Sequence, residues 1–408
     1  MKFYYLEDRK NENKQESKMS CDERRFPVRS NFLPLHKPDI SKKDVKAMLE
    51  VIETGRTLGN GPIGRLLETN LEKFTNAKYA LFTTSCTSAL EIALICCDIK
   101  DGDEVLCPAF TFVSVVNAII ACGARPVFVD IKEDTMNINT DLIEKAISRR
   151  TKAIIPVHYA GQACEMDKIC DMAYRHKIKV IEDAAHGIGA FYKQRHLGTI
   201  GDVGCVSFDG TKNISCGEGG ALLTCNSKIA KRADVYREKG TDKSRYLRGE
   251  IKKYTWIARG SSCVQSDILA ALLIEQLKRV EYINMRRAIN AQYLNRKLEK
   301  FKGVIKLPYV IKESRTNWHI YAIRVNENIR DWIVEALRSE GIGVASHYIP
   351  LHTTPFGKKI LGYKRGDFPI TERVCDSIIR IPVHTHLLKK DLDNIIRALN
   401  KIIFAKDE

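Results

Sequence analysis

From residue 79 onward, short apolar runs alternate with stretches of helical period, and that alternation leaves few folds open. Residues 79–83, 104–107, 126–130, 153–157 and 179–182 read as buried strands. Between them, residues 88–97, 113–122, 140–148 and 167–176 carry helical spacing. Strands in one direction need long crossovers, usually helices, so the pattern predicts a mostly parallel sheet sandwiched by helices. Two more apolar strands, 203–208 and 221–224, are joined by a glycine-rich loop. Upstream, Ser41 can cap a helix in which Val45, Met48, Leu49 and Ile52 recur at helical spacing and Gly55 ends it; residues 58–62 make a tight loop. One long helical pattern runs over 265–298. The implied division is a flexible polar extension over 1–30, a large domain over 31–285 and a smaller α/β domain over 286–408.

Composition narrows the class. With 408 residues, 44% hydrophobic and 28% charged, the chain can bury two such cores. No apolar stretch approaches the ~20 residues of a membrane helix, and the apolar block at Met1–Asp8 is too short for a signal peptide. The 13 cysteines include the vicinal Cys96 and Cys97 but no paired CxxC units, which argues against a metal site or a disulfide framework and for a cytoplasmic setting. Net charge is +16. Residues 228–253 hold ten Lys or Arg against four Asp or Glu, a local surplus of 10 − 4 = 6. No nucleic-acid motif or interleaved aromatics accompany it, so a basic face for a nucleotide diphosphate fits better than nucleic acid.

The chemistry concentrates in two places. Lys212 stands on a turn that follows the strand ending at Phe208 and precedes Gly217-Glu218-Gly219-Gly220. An ammonium held beside a buried strand is costly to desolvate, so it loses its proton readily and can form a Schiff base with a carbonyl. Asp183, 212 − 183 = 29 residues upstream, ends the apolar run Val180-Ile181-Glu182. Ligands of open α/β sheets lie beyond the carboxyl ends of strands. A carboxylate there can keep a pyridine nitrogen protonated, and pyridoxal phosphate needs such a partner beside its lysine. Either residue alone reads more readily as a surface turn or a cap; their combination in this order does not. Thr83-Thr84-Ser85-Cys86-Thr87-Ser88, between a strand and a helix, is an N-cap and also a ready anion site.

Through these motifs the chain resembles the DegT/DnrJ/StrS sugar aminotransferases, which have the fold type I architecture of pyridoxal phosphate enzymes. The resemblance runs from about Leu33 to about Asn400. It is nearest to dTDP-4-oxo-6-deoxyglucose 4-transaminases, through Thr84-Ser85-Cys86-Thr87, Thr111-Phe112-Val113-Ser114, Pro156–Gly161, Glu238-Lys239-Gly240-Thr241, Tyr254-Thr255-Trp256, Gly260-Ser261-Ser262 and His347–His352.

The resemblance implies a role for each matching position. Lys212 would be catalytic. Cys86 and Thr87 would hold the cofactor phosphate through their amides, with Ser207, while Phe112 would stack on the ring and Asp183 would meet its nitrogen. His186, where many members have glutamine, would face the phenolic oxygen by donating one hydrogen bond. Ser262, where many carry asparagine, would reach the phosphate across a homodimer interface. Lys239, Arg245 and Arg248 are expected at the substrate diphosphate, with His347, Tyr348 and His352 nearer the hexose. Asp209, often His or aromatic in the family, and Ala258, often acidic in the nearest subgroup, depart from the pattern. The implied reaction moves an amine from L-glutamate to a dTDP- or UDP-linked 4-keto-6-deoxyhexose. A 3-keto nucleotide-sugar aminotransferase and a non-enzymatic cofactor-binding regulator are the alternatives; the dehydratase branch, with His in place of the lysine, is disfavoured by Lys212.

Overall fold

The structure, a computed structural model, describes residues 27–404. Most of the expected flexible extension lies outside them. Its last residues do not fit that expectation: the Val28 amide donates to Glu340 at 2.7 Å and Arg29 pairs with Asp391 at 2.5 Å. These ties hold the segment against the C-terminal part of the chain.

Helix α1 (Lys42–Glu53) opens with a reciprocal capping box between Ser41 and Asp44. Its stripe of Val45, Leu49 and Ile52 is exposed, and Val51 and the capping Asp44 are buried instead. Pro62 starts α2 (Pro62–Thr75), a helix that the tight-loop reading of 58–62 did not extend to. Strands and helices then alternate as the periodicity requires: β1 (Tyr79–Thr83), α3 (Cys86–Cys96), β2 (Glu104–Pro108), α4 (Val113–Ala121), β3 (Arg125–Val129), α5 (Thr140–Ala146), β4 (Thr151–Ile154), α6 (Met166–His176) and β5 (Lys179–Asp183). A short ribbon, β6 (Phe191–Tyr192) and β7 (Arg195–His196), precedes β8 (Val203–Ser207) and β9 (Gly220–Thr224).

Seven of these strands form one sheet in the order β1-β9-β8-β5-β4-β2-β3. Only β9 runs against the rest, pairing antiparallel with both β1 and β8. The loop from Phe208 to Gly219 contains turns but no helix, so it can return the chain only to an antiparallel neighbour. Apolar side chains pack on both faces: Leu67, Leu71, Ile169 and Leu273 on one, and Leu90, Leu94, Val115 and Ile119 on the other.

Beyond β9 come α7 (Ser227–Arg237), α8 (Lys243–Leu247), α9 (Asp267–Leu277) and α10 (Val280–Leu298). The single helix expected over 265–298 is therefore two. The break falls at Arg279, whose backbone leaves helical geometry (φ −111°, ψ 1°) while its guanidinium pairs with Asp44 at 2.7 Å and Asp39 at 3.3 Å. The remainder comprises β10 (Ser314–Arg315), β11 (Tyr321–Arg324), α11 (Glu327–Ser339), α12 (Pro355–Leu361), α13 (Pro369–Ser377), β12 (Ile378–Ile381) and α14 (Lys389–Phe404). There β11 and β12 pair antiparallel over a separate core of Leu294, Leu298, Ile333, Leu337, Ile395 and Leu399. Leu33 belongs to that core as well, which places this early segment with the C-terminal body rather than with the sheet that follows it.

Candidate active site

Three strand ends meet at the carboxyl edge of the large sheet. Asp183 ends β5, Ser207 ends β8, and Thr83 leads from β1 into α3. Gly220 lies opposite both Thr83 and Ser207 in the ladder. A Cβ there would stand 2.4 Å from the Cys86 amide nitrogen and 2.5 Å from the Ser85 carbonyl oxygen. Only glycine lets the start of α3 close onto the sheet. Ser85 caps that helix by accepting from the Ser88 amide at 3.0 Å. Cys86 and Thr87, whose amides stand in the first turn where no helix carbonyl can reach them, line the cleft.

The cleft encloses about 620 Å³ between the large sheet and the β11–β12 body, ample for a cofactor and a sugar ring. Cys86, Thr87, Phe112, Asp183, His186, Ser207, Lys212, His347 and Tyr348 all line it. Lys212 is held on its turn by its amide donating to the Asp209 carbonyl at 2.9 Å. Burial, together with the Arg380 guanidinium, pushes its amine below the ordinary lysine range, against the opposing pull of Asp209 and Asp183. Burial pushes the Asp183 carboxyl upward, opposed by the Ala185 amide and by the positive charge of Lys212. The result is a lysine that sheds its proton readily, in the same cleft as a desolvated carboxyl whose charged form a cationic partner would stabilise.

Glu182, next to Asp183, is spent inside the protein. Its oxygens accept from His158 Nε2 at 2.9 Å, from the Gly198 amide at 2.8 Å and from the Ile200 and Gly201 amides at 2.6 Å. The Cys164 amide donates to His158 Nδ1 at 3.2 Å, so the ring proton of His158 sits on Nε2 and points to Glu182. The same logic fixes His186. The Ala160 amide donates to its Nδ1 at 3.2 Å, burial keeps the ring neutral, and Nε2–H is left as a donor. His319 packs against it with ring centroids 4.4 Å apart and shares Nδ1 with Asn213 Oδ1 at 3.0 Å. Phe112, 56% exposed, forms an open apolar face, and His347 stacks on Tyr348 at 4.3 Å and 9°.

The carboxylate of Asp209, the residue that departs from the family pattern, accepts from both the amide and the hydroxyl of Thr211. Its charge is thereby satisfied within the turn.

Five other expected residues stand elsewhere. His352 is wholly buried, bonded to Glu372 at 2.8 Å and packed edge-on against Phe368, so it does not approach a hexose. The 3₁₀ turn at Leu351–Thr353 directs it inward, away from the neighbouring His347 and Tyr348. Arg245 and Arg248 share Glu250 at 3.2 and 2.6 Å, and Arg248 also nears Asp234 at 3.6 Å. Lys239 (φ 65°) and Ser262 are exposed on the loop that joins them through the Glu238–Ser262 bridge. None of these five lines the cleft of its own chain.

Residues not foreseen do line it: His36, Ser114, Arg287, His319 and Arg380. Ser114 accepts from the Thr87 hydroxyl at 2.8 Å, and His36 Nε2 lies 2.8 Å from the Gly210 carbonyl. For Arg380 a signal was available, since one arginine interrupts the apolar run Ile378-Ile379-Arg380-Ile381.

The profile of the DegT/DnrJ/EryC1/StrS aminotransferase family matches residues 38–400. The spore coat polysaccharide biosynthesis protein SpsC of Bacillus subtilis is 37% identical over 93% of this chain and 99% of that protein. Among solved structures, Helicobacter pylori PseC, an aminotransferase involved in the biosynthesis of pseudoaminic acid, superposes with a TM-score of 0.85 at 26% identity, covering 92% of this chain and all of PseC. A Streptococcus pneumoniae protein described as a sugar aminotransferase, solved in PLP and PMP forms, gives 0.85 at 26–27% identity over 92% of this chain and 99–100% of its own. The chain belongs to the DegT/DnrJ/EryC1/StrS family, and it is a pyridoxal-phosphate-dependent sugar aminotransferase of fold type I. The cleft suits that cofactor: helix-start amides for a phosphate, a carboxylate for the ring nitrogen, an apolar face and an amine of lowered basicity.

Proposed function

Taking membership of that family as the premise, we propose that this cleft transfers an amine from L-glutamate to the C4 ketone of a dTDP- or UDP-linked 4-keto-6-deoxyhexose. The product is the 4-amino-4,6-dideoxyhexose, of viosamine or fucosamine type. The observation that carries the reading is the meeting of Lys212, Asp183 and the open start of α3 at one sheet edge. The sugar acceptor is supported by the polysaccharide and pseudoaminic acid roles in the names of SpsC and PseC.

Bound there, pyridoxal phosphate supplies an electron sink for charge at the amine-bearing carbon. The amides of Cys86 and Thr87, with the Ser207 hydroxyl, hold its phosphate, and Asp183 keeps the proton on its ring nitrogen. His186 donates through Nε2 and Phe112 covers the ring. Lys212 Nζ, neutral when freed, takes the proton from the donor's α-carbon and later returns one to the sugar carbon. Because each half-reaction takes a proton off one carbon and places one on another, the same amine must serve as base and as acid in both halves. An amine pulled below the ordinary lysine range serves both.

The protein works as a homodimer, with Ser262 and the basic loop of one protomer completing the site of its partner. In that arrangement Lys239, Arg245 and Arg248 meet the diphosphate from across the interface. The free and mostly buried thiols among the described residues fit a reducing, cytoplasmic setting.

Incubation with dTDP- and UDP-4-keto-6-deoxyglucose plus glutamate, followed by NMR of the product, tests the acceptor. A 4-amino sugar with its nucleotide intact is expected. Amination at C3, or equal turnover of a free keto-sugar, would overturn it.

A further inference from the structure

Among the described residues, Arg380 is a cation without an anion. It lies on β12, where Ile379 and Ile381 point into the C-terminal core and Arg380 borders the cleft with Lys212, His347 and Tyr348. Its backbone is satisfied by Ala345, at 2.7 Å through its amide and 3.3 Å through its carbonyl. Its side chain has no carboxylate within ion-pair distance among the described residues, and its Nε is buried with no hydrogen-bond partner. Burial pulls its basicity down, with only the two tyrosines Tyr159 and Tyr348 opposing.

Other arginines around it are occupied. Arg324, on the paired strand β11, has Glu133 at 3.0 Å. Arg287, the other guanidinium of the cleft, donates from Nε to the Trp318 carbonyl at 2.9 Å and from Nη2 to the His319 carbonyl at 2.5 Å. It holds a turn in which Trp318 takes a left-handed backbone (φ 51°). Arg380 has no such structural duty. A desolvated guanidinium left unpaired is expensive, and a carboxylate arriving in its plane offsets that cost through two parallel hydrogen bonds.

We infer that Arg380 is the anchor for the α-carboxylate of the amino donor, a specificity-determining residue of the first half-reaction. This rests on the aminotransferase reading of the cleft. The choice of anion follows from position. Arg380 is near enough for its charge to act on Lys212, where the donor's amine must react. The α-carboxylate is bonded to the carbon that bears that amine, whereas a diphosphate sits on the far side of a hexose from its C4. Arg380 therefore favours amino acids over simple amines and sets the donor's α-carbon within reach of Lys212.

The test compares wild type with Arg380→Gln and Arg380→Lys, each checked for an unchanged melting profile and cofactor absorbance. The half-reaction with L-glutamate, without sugar, is followed by the loss of the cofactor band, and binding of 2-methyl-L-glutamate, which has no α-hydrogen to lose, is measured by calorimetry. Arg380→Gln is expected to weaken both by roughly tenfold or more, with Arg380→Lys intermediate. L-glutamine, which lacks the γ-carboxylate, must suffer the same loss. The reverse half-reaction with the aminated nucleotide sugar must keep its apparent constant. Unchanged glutamate saturation in Arg380→Gln, or an equal shift in the sugar half-reaction, overturns the inference. A panel of L-glutamate, L-aspartate and L-alanine separates the two readings. If wild type reacts with none, the aminotransferase reading fails and takes this one with it. If another donor replaces glutamate, only the donor's name changes, and Arg380→Gln must weaken that donor too.

Discussion

At the scale of single residues, Lys212 shows how a local environment sets a reactivity. Burial disfavours its charged form and the nearby Arg380 adds repulsion, while Asp209 and Asp183 oppose both. The net lowering means that the neutral, nucleophilic amine is populated at lower pH than on a surface lysine. Reductive methylation of the cofactor-free protein, read by mass spectrometry across a pH series, should therefore label Lys212 with a midpoint below that of exposed lysines. A midpoint equal to theirs would refute the environment described. Lys212→Ala should abolish transamination while still binding phosphate, since the α3 amides are untouched. Ordinary turnover in that variant would end the assignment.

Secondary-structure elements supply the geometry that no residue supplies alone. The start of α3 can serve an anion only because β9 comes within contact of it, and Gly220 permits that approach. Gly220→Ala would drive a methyl group into the backbone at Ser85 and Cys86, which cannot yield as a flexible side chain could. A loss of about 1–3 kcal/mol in stability is expected from such overpacking, together with weaker cofactor binding. Urea unfolding and a cofactor titration would measure the two; a neutral outcome in both would show that α3 can retreat without cost. The periodicity of α1 is instructive in a different way. Its apolar stripe is regular, yet Val45, Leu49 and Ile52 stay exposed because Asp44 is turned inward to meet Arg279 and Gln276. Amphipathic spacing identified the helix but not the direction of its face.

Over the whole molecule, several features look outward from a complete fold. Leu58 is 78% and Trp256 76% exposed, and Ile257, next to Trp256 in sequence, is exposed as well. Apolar surface of this kind suits burial against a second copy. Under the proposed homodimer, Ser262 and the basic loop, absent from their own cleft, would complete the site of the partner. Mixing Lys212→Ala with Ser262→Trp makes hybrid dimers that carry one intact site and one doubly defective site. After subunit exchange, random pairing should restore about a quarter of wild-type activity. No recovery, or a fully active monomer in sedimentation, would exclude shared sites.

What the sequence determined by itself was whatever depends on near neighbours along the chain. Strand and helix periods, the Ser41 cap, the lysine on its turn and the aspartate at a strand end could all be read, because backbone geometry and local hydrogen bonding are set within a few residues. The tertiary structure decided how side chains are spent. Of the adjacent Glu182 and Asp183, both buried, one is consumed by distant amides and His158 and the other faces the cleft. His352 was drawn to Glu372, while Arg380 was left without a counter-charge among the described residues. Long charged and polar side chains respond to whichever counter-charge the fold brings within a few ångströms. Linear order does not record that proximity.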